Sequence, residues 1–190
     1  MRCWWKHYAG VFTPQECAEI VHHGLQLPAR EATVILPTGK CDVTEQQRSA
    51  TVRFIDRADW TMAPIYARLA KHFLLSNQQC FGVDAGDFHQ VQLATYTPGH
   101  GHHCWHEDSQ WIQAENSSVL DRKLTLIVQL SHADDYTGGE LRLDRGGLAD
   151  GLFKQGDVIV FPSVLKHKVE AVTAGVRHSL ATWAIGPRWR

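Results

Sequence analysis

The sequence has no surplus of charge of either sign, because 19 lysines and arginines balance 20 aspartates and glutamates. Proteins that neutralise a nucleic-acid backbone usually carry a basic surplus, so the overall charge argues against a nucleic-acid partner. The overall charge does not exclude a local basic patch. No stretch reaches 18 consecutive apolar residues, which predicts that the chain does not span a membrane.

A cysteine framework is also missing. The chain has five cysteines, and no two of them form a CxxC pair. An odd, scattered set predicts reduced thiols and a cytoplasmic location rather than a disulfide scaffold or a structural zinc site. The first ten residues carry Trp and His where a secretory signal would have an apolar run, which favours the same location.

No repeat and no Pro/Gly/Ser-rich linker divides the 190 residues, which predicts one domain. Helical signals lie in the first part, about residues 1–85. A helix begins after Thr13, and a second covers about Met62–Ser76. The later part, about residues 86–186, carries short β-type runs. They are Phe88–Tyr96, Lys123–Leu130, Glu140–Leu143, Asp157–Phe161, Lys168–Val172 and Arg177–Ala184. The predicted fold class is therefore α+β, mainly β, with a sandwich or jelly-roll core flanked by N-terminal helices.

What the chain does have is histidine, with 12 residues. Most are expected to be structural, but His106 and Asp108 stand two residues apart. On an extended chain such side chains share a face, about 6–7 Å apart, and can converge on one cation. If His167 joins them, two imidazoles and one carboxylate form the ligand set of non-haem Fe(II) oxygenases. A catalytic zinc ion could use the same set.

Arg177 begins a mostly apolar run ten residues after His167. Burying an arginine there is costly unless an anion pairs with it, and its guanidinium matches a carboxylate in two-point contact. A surface arginine paired with a glutamate is the alternative. In a strand, Ser179, Ala181 and Trp183 share its face, so this face offers one hydroxyl and an aromatic wall.

In the segments that surround these residues, the chain resembles the Fe(II)- and 2-oxoglutarate-dependent dioxygenases, most closely the prolyl 4-hydroxylase-like branch that includes the PKHD-type hydroxylases. The likeness spans about residues 88–186. The segments that carry it are Tyr96-Thr-Pro-Gly99, Trp105-His106-Glu-Asp108, Arg122–Leu130, Asp135-Tyr-Thr-Gly138-Gly139-Glu140, Gly156–Ser163, His167, Val172–Arg177 and Trp183.

The resemblance implies a double-stranded β-helix fold, with Fe(II), 2-oxoglutarate and O2 as cofactors and ascorbate as a candidate stimulant. It makes His106, Asp108 and His167 the iron ligands and Arg177 the partner of the distal carboxylate of 2-oxoglutarate. Further cosubstrate contacts are assigned to Tyr96, Thr125, Ile127, Gln129 and Trp183. Gln129 stands where close relatives often have a tyrosine, and its amide is a candidate donor to the distal carboxylate.

The resemblance favours hydroxylation of a prolyl residue in a peptide or protein, with Arg122 as a candidate substrate contact and residues 33–53 as a candidate lid. Open alternatives are a free amino acid or another small molecule, a nucleic-acid demethylase, and a cupin-like metal protein that needs no 2-oxoglutarate. The demethylase reading is weakened because Trp183 occupies the place of a second arginine in such enzymes. The sequence does not distinguish a monomer from a homodimer.

Overall fold

The computed structural model describes residues 3–32, 34–35, 41–42, 48–99, 101–109, 120–145 and 153–189. Within these ranges the α-helices are α1 (Pro14–Leu25) and α2 (Ala63–Ser76), and the shorter helices are Trp60–Met62, Asn77–Phe81 and Ala133–Asp135. The strands are β1 (Lys6–Tyr8), β2 (Arg30–Glu31), β3 (Val34–Ile35), β4 (Cys41–Asp42), β5 (Arg48–Ser49), β6 (Thr51–Ile55), β7 (Phe88–Tyr96), β8 (His102–His106), β9 (Leu120–Gln129), β10 (Tyr136–Gly138), β11 (Leu141–Leu143), β12 (Val158–Pro162), β13 (His167–Val169), β14 (Val172–Gly175) and β15 (Arg177–Pro187).

Helix α1 begins where the sequence predicts. The Thr13 side chain accepts a hydrogen bond from the Glu16 backbone N–H, and the Glu16 carboxylate accepts one from the Thr13 N–H. This capping box satisfies two donors that would otherwise lack partners. On the buried side, a Cβ at Gly24 would lie 2.5 Å from Leu93 of β7, so glycine allows the helix to pack closely against the sheet.

Most of the described strands form two antiparallel sheets that face each other, and the pairs β10-β14 and β3-β4 form two further two-stranded sheets. A seven-stranded sheet has the order β1-β12-β9-β15-β7-β6-β2, and a four-stranded sheet has the order β11-β13-β8-β5. Side chains of both sheets pack in one core, which includes Ile127 and Phe161 of the large sheet and Leu141 of the small one. The helices cover the other face of the large sheet. The prediction of a mainly β jelly roll with N-terminal helices is confirmed.

Alternation along β9 divides its residues between these two cores. Leu126 and Val128 pack on the helix side, whereas Ile127 packs between the sheets. Because strand side chains alternate, Thr125 and Gln129 share the face of Ile127. The inner face of the large sheet therefore carries the candidate site residues of β9.

Two details differ from the sequence-based expectation. The predicted strand Lys168–Val172 is wrong, because β13 pairs with β11 and β8 whereas β14 pairs with β10. The chain changes partners between Val169 and Val172, which a continuous β-type run does not reveal. Most of the candidate lid, residues 33–53, lies outside the described residues or is described only as short strands. No helix in the described ranges has the length and apolarity to cross a membrane.

The prediction that all cysteines are reduced is also wrong. Cys3 and Cys80 form a disulfide with their Cα atoms 5.6 Å apart, linking the N-terminal segment to the short π-helix Asn77–Phe81 that follows α2. Their sequence separation is 77 residues, so no local spacing announces the pair. Cys17 lies on the buried face of α1 and packs in the core as a small apolar residue.

Candidate active site

Three candidate metal ligands converge between the sheets. His106 ends β8, His167 begins β13, and these two residues are paired directly across the small sheet. Asp108 lies two residues beyond His106. One ligand atom from each of the three lies within 4.8 Å of the other two. The distances to the Asp108 carboxylate are 3.7 Å from His106 Nε2 and 3.4 Å from His167 Nε2.

The backbone fixes the tautomer of both imidazoles. His106 Nδ1 donates to the Cys104 carbonyl at 2.8 Å, and His167 Nδ1 donates to the Leu165 carbonyl at 3.0 Å. A carbonyl oxygen only accepts, so each proton lies on Nδ1. Nε2 of each ring therefore faces the carboxylate, and a metal ion that binds there displaces any proton that this nitrogen carries.

Asp108 is buried and held from two sides. Thr125 Oγ1 donates to its Oδ2 at 2.8 Å, and its backbone N–H donates to the Ser163 carbonyl at 2.9 Å. Burial alone would raise the pKa of Asp108, but the positive charges of His167, His106 and Arg122 outweigh this cost and hold the pKa below its usual value. The site therefore presents an ionised carboxylate between two imidazole nitrogens.

Arg177 lies deep in the same interior, at the start of β15. Its side chain is only 1% exposed, which excludes the alternative of a surface arginine. Its Cζ lies 5.2 Å from the ring centre of Tyr96, the residue opposite it on β7. Arg177 Nη1 is buried and has no hydrogen-bond partner among the described residues. A buried guanidinium nitrogen without a partner is costly unless an anion binds there.

The pairing of β15 with β9 connects Arg177 to the metal cluster. Ser179 lies opposite Gln129, Ala181 opposite Ile127, and Trp183 opposite Thr125. The inner faces of β15 and β9 therefore form one continuous surface. It runs from Arg177 on β15 to Thr125 on β9, whose hydroxyl contacts Asp108. Thr125, predicted to line the cosubstrate pocket, lies at the metal end of this face.

Arg122 lies beside this cluster. Its Cζ is 3.8 Å from the ring centre of Trp183, a stacked cation–π arrangement. Its charge is one of those that lower the pKa of Asp108. The structure therefore places the candidate substrate contact at the metal end of the interior rather than at the Arg177 end.

Gln129 lies near Arg177, but its amide nitrogen is already engaged. Gln129 Nε2 donates to the Ser131 carbonyl and to the Tyr136 hydroxyl, each at 3.0 Å. Both amide hydrogens are used, so the side chain in this orientation has none left for a carboxylate. Tyr136 was missed as a site residue, because its only signal was its place in the Asp135–Glu140 motif.

Four further histidines make contacts of other kinds. His178 faces away from Arg177 and hydrogen-bonds Thr95 at 3.2 Å. His7 binds Asp157 at 2.9 Å, and His72 Nδ1 donates to the Arg68 carbonyl at 2.7 Å. The ring of His103 stacks on that of His106 with centres 3.3 Å apart. His100 lies outside the described residues.

Fold and site together define a jelly-roll protein suited to hold one metal ion and one buried anion. A sequence profile of the 2OG-Fe(II) oxygenase superfamily matches residues 91–185, and the chain belongs to this superfamily, whose members use Fe(II), 2-oxoglutarate and O2. The chain is 34% identical over 95 residues to a PKHD-type hydroxylase of Colwellia psychrerythraea, a match that covers 49% of this chain and 40% of that protein. It thus spans about two fifths of the relative's length.

Solved structures share the fold over almost the whole chain. A Pseudomonas putida prolyl-4-hydroxylase has a TM-score of 0.72 at 20% identity, covering 98% of this chain and 94% of that one. The viral collagen prolyl hydroxylase of Paramecium Bursaria Chlorella virus-1, solved as a 2OG complex, has a TM-score of 0.71 at 18% identity, covering 97% of each chain. These likenesses show the fold.

Proposed function

We propose that the protein is an Fe(II)- and 2-oxoglutarate-dependent oxygenase that hydroxylates an unactivated C–H bond, with a prolyl residue of a peptide or protein as substrate. The observation that carries the proposal is the buried Nη1 of Arg177, which has no hydrogen-bond partner within the described ranges and lies on the strand face that leads to the His106–Asp108–His167 cluster. A zinc hydrolase or a cupin-like protein would not need this arginine.

The donor set fits a non-haem Fe(II) ion. His106, Asp108 and His167 would hold it through two Nε2 atoms and one carboxylate, which leaves positions for the cosubstrate and O2. Arg177 would bind the distal carboxylate of 2-oxoglutarate, with Tyr96 at its side. When bound, the iron would activate O2, the oxidant: one oxygen atom would go to 2-oxoglutarate as it is oxidised to succinate and CO2, and the other would go to the C–H bond of the substrate.

The protein's own part is charge matching and orientation. The Arg177 guanidinium would neutralise one carboxylate of the cosubstrate in an interior where an unpaired charge is costly. Thr125 holds Asp108 by one hydrogen bond, which leaves the second carboxylate oxygen, Oδ1, for the metal. Ile127 is buried between these polar ends and Trp183 is buried beside the metal end, and both would keep water away from the reacting groups.

The prolyl substrate is supported by the prolyl hydroxylase names of the relatives in fold. Within the chain, the support is Arg122 stacked on Trp183 beside the cluster, where its guanidinium could donate to a peptide carbonyl of a bound substrate. A free amino acid or another small molecule is the competing substrate, and the nucleic-acid reading is disfavoured by the net charge of −1.

Anaerobic titration tests the oxygenase class. Addition of 2-oxoglutarate to the Fe(II)-loaded protein should produce a weak visible charge-transfer band, and the Zn(II)-loaded protein should show none. Iron binding without this band would overturn the proposal and favour a cupin-like protein. A screen of proline-containing peptides, free amino acids and alkylated oligonucleotides for a +16 Da product with coupled succinate then identifies the substrate class.

The cytoplasmic location stays a prediction, and the Cys3–Cys80 disulfide opposes it because disulfides are rare in reducing compartments. Alkylation of the protein taken directly from its own cells decides between the two. Modification of all five cysteines would show that the disulfide is absent in the cell and would support a cytoplasmic location. Modification of only three would show that the disulfide is present in the cell and would oppose that location.

A further inference from the structure

The Tyr136 hydroxyl accepts a hydrogen bond from Gln129, and the neighbouring groups fix which of the two is the donor. Gln129 Nε2 is a donor only, and it donates to Tyr136 at 3.0 Å and to the Ser131 carbonyl at 3.0 Å. An inverted amide would set its oxygen against the Ser131 carbonyl, so this orientation is the stable one. Tyr136 therefore accepts from Gln129, and its own O–H hydrogen remains to be donated elsewhere.

The backbone holds Tyr136 next to the start of β15. Tyr136 pairs with Gly175 across β10 and β14, and the Val176 N–H donates to the Asp135 carbonyl at 3.2 Å. A Cβ at Gly175 would lie 2.9 Å from the Tyr136 Cα, and the positive φ of +70° also favours glycine. Tyr136 thus has little freedom to move away from Arg177, two residues further along.

Gly139 brings the two side chains together. A Cβ at this position would lie 3.0 Å from Arg177 Cδ and 3.5 Å from Tyr136 Cδ2, so glycine allows both the stem of Arg177 and the ring of Tyr136 to pack against the backbone here. The Tyr136 hydroxyl lies at Gln129, which is opposite Ser179 on the face of β15 that also carries Arg177. Arg177 Nη1 is buried and has no hydrogen-bond partner among the described residues. The side chains that carry a charged and a neutral donor therefore enter the same part of the interior.

We propose that Tyr136 is a further cosubstrate-binding residue: its hydroxyl donates to the distal carboxylate that Arg177 binds, and Gln129 is the positioning residue that turns the hydroxyl toward it. This inference rests on the proposed function. Hydrogen bonds to a carboxylate are stronger than those to neutral groups, so Tyr136 would add selectivity for a 2-oxo dicarboxylate over a 2-oxo monocarboxylate.

The test compares two ligands that differ only at the distal end. Full-length protein loaded with Zn(II), which does not turn over, is titrated calorimetrically with 2-oxoglutarate and with 2-oxopentanoate. The Tyr136→Phe variant should bind 2-oxoglutarate about ten- to one-hundredfold more weakly, with 2-oxopentanoate changed by less than about twofold. Tyr8→Phe is the matched control, because its hydroxyl bonds Ser76 away from the site, and it should change neither affinity.

The result that would overturn the inference is an unchanged affinity for 2-oxoglutarate, or an equal loss for both ligands, which would mean a purely structural role. Gln129→Leu provides a second variant if Tyr136→Phe does not fold: it should lower the dicarboxylate preference in the same direction by a smaller factor, and an unchanged preference would contradict the positioning role. If the unmodified protein shows no preference for the dicarboxylate, the proposed function itself fails.

Discussion

The metal end and the Arg177 end of the interior differ in how their buried polar groups are hydrogen-bonded. At the metal end, His106 and His167 are bonded to backbone carbonyls and Asp108 to Thr125, so the protein itself supports each candidate ligand. At the other end, Arg177 Nη1 and Gln129 Oε1 are buried and have no hydrogen-bond partner in the described part of the chain, and the same holds for Trp183 Nε1 beside the metal cluster. The candidate metal ligands are therefore pre-organised by the protein, whereas the Arg177 end has buried polar atoms that a bound molecule or water can satisfy.

Because of this difference, substitutions at the two ends should weaken the binding of different ligands. Removing a residue at the metal end should affect metal binding, whereas removing a residue at the Arg177 end should affect cosubstrate binding and leave the metal in place. Four changes, ordered by the size of the expected effect, test whether the two ends are independent.

The largest effect is expected from Asp108→Ala. It removes the only carboxylate of the cluster, so we expect Fe(II) affinity to fall by more than about a hundredfold and 2-oxoglutarate turnover to cease. Anaerobic Fe(II) titration and succinate formation measure both. The largely exposed Asp134→Ala serves as the control and should change neither. Undiminished turnover in Asp108→Ala would remove the basis of the site assignment.

Arg177→Met should weaken 2-oxoglutarate binding by about a hundredfold, since it removes the charged partner of the distal carboxylate but keeps most of the side-chain volume. Fe(II) affinity should change by less than about threefold, the usual size of an indirect effect. Calorimetric titration of each ligand separates the two. Equal losses of both would show that the two ends are one cooperative unit.

Thr125→Val should cause a smaller loss at the metal end than Asp108→Ala, because it removes a partner of a ligand and not a ligand itself. Valine keeps the shape but removes the hydrogen bond to Asp108, so we expect Fe(II) affinity to fall by about tenfold. The affinity for 2-oxoglutarate, measured on Zn(II)-saturated protein, should stay nearly constant. Thr95→Val removes a hydroxyl from the opposite face of the large sheet and is the matched control. A larger loss of 2-oxoglutarate than of Fe(II) affinity would place Thr125 in the cosubstrate pocket instead.

His178→Gln should have the smallest effect, although His178 adjoins Arg177. It lies on the other face of β15, so 2-oxoglutarate affinity should change by less than about twofold. Burial, Arg53 and Arg177 lower the pKa of His178 below 6.5, so the unfolded state binds a proton that the folded state resists. Stability should therefore fall as the pH drops below about 6.5, by at most about 1.4 kcal/mol per pH unit from this residue.

Urea unfolding at pH 7 and pH 5 measures that second effect. The variant should lose less stability than the unmodified protein between these two values. An equal loss in both would assign the acid sensitivity to other groups.

Local patterns made much of this arrangement predictable. The capping box at Thr13 and the alternation of Arg177, Ser179, Ala181 and Trp183 depend on neighbours within a few residues, and the structure shows both. The convergence of His167 with the other two side chains needed the family motif, because pairing between distant strands has no local signal.

Interactions between distant parts of the chain were not predictable. The Cys3–Cys80 disulfide, the contact between β1 and β12 and the change of partner after Val169 all depend on how separate segments meet. The orientation of the Gln129 amide depends on two acceptors that become its neighbours only when β9 and β10 come together. Residue type alone therefore suggested a donor toward the carboxylate, whereas the structure directs that donor to Tyr136.

The backbone carbonyls that hold His106 and His167 also bear on which ion enters the site. Because these bonds reach only two residues back along the chain, both imidazoles are preset before any metal arrives. Such a donor set attracts Co²⁺, Ni²⁺, Cu²⁺ and Zn²⁺ more strongly than Fe²⁺, following the Irving–Williams order. Loading with iron then depends on which metals the cell supplies. Exposure to the competing ions should replace iron in the site and abolish activity without unfolding the protein.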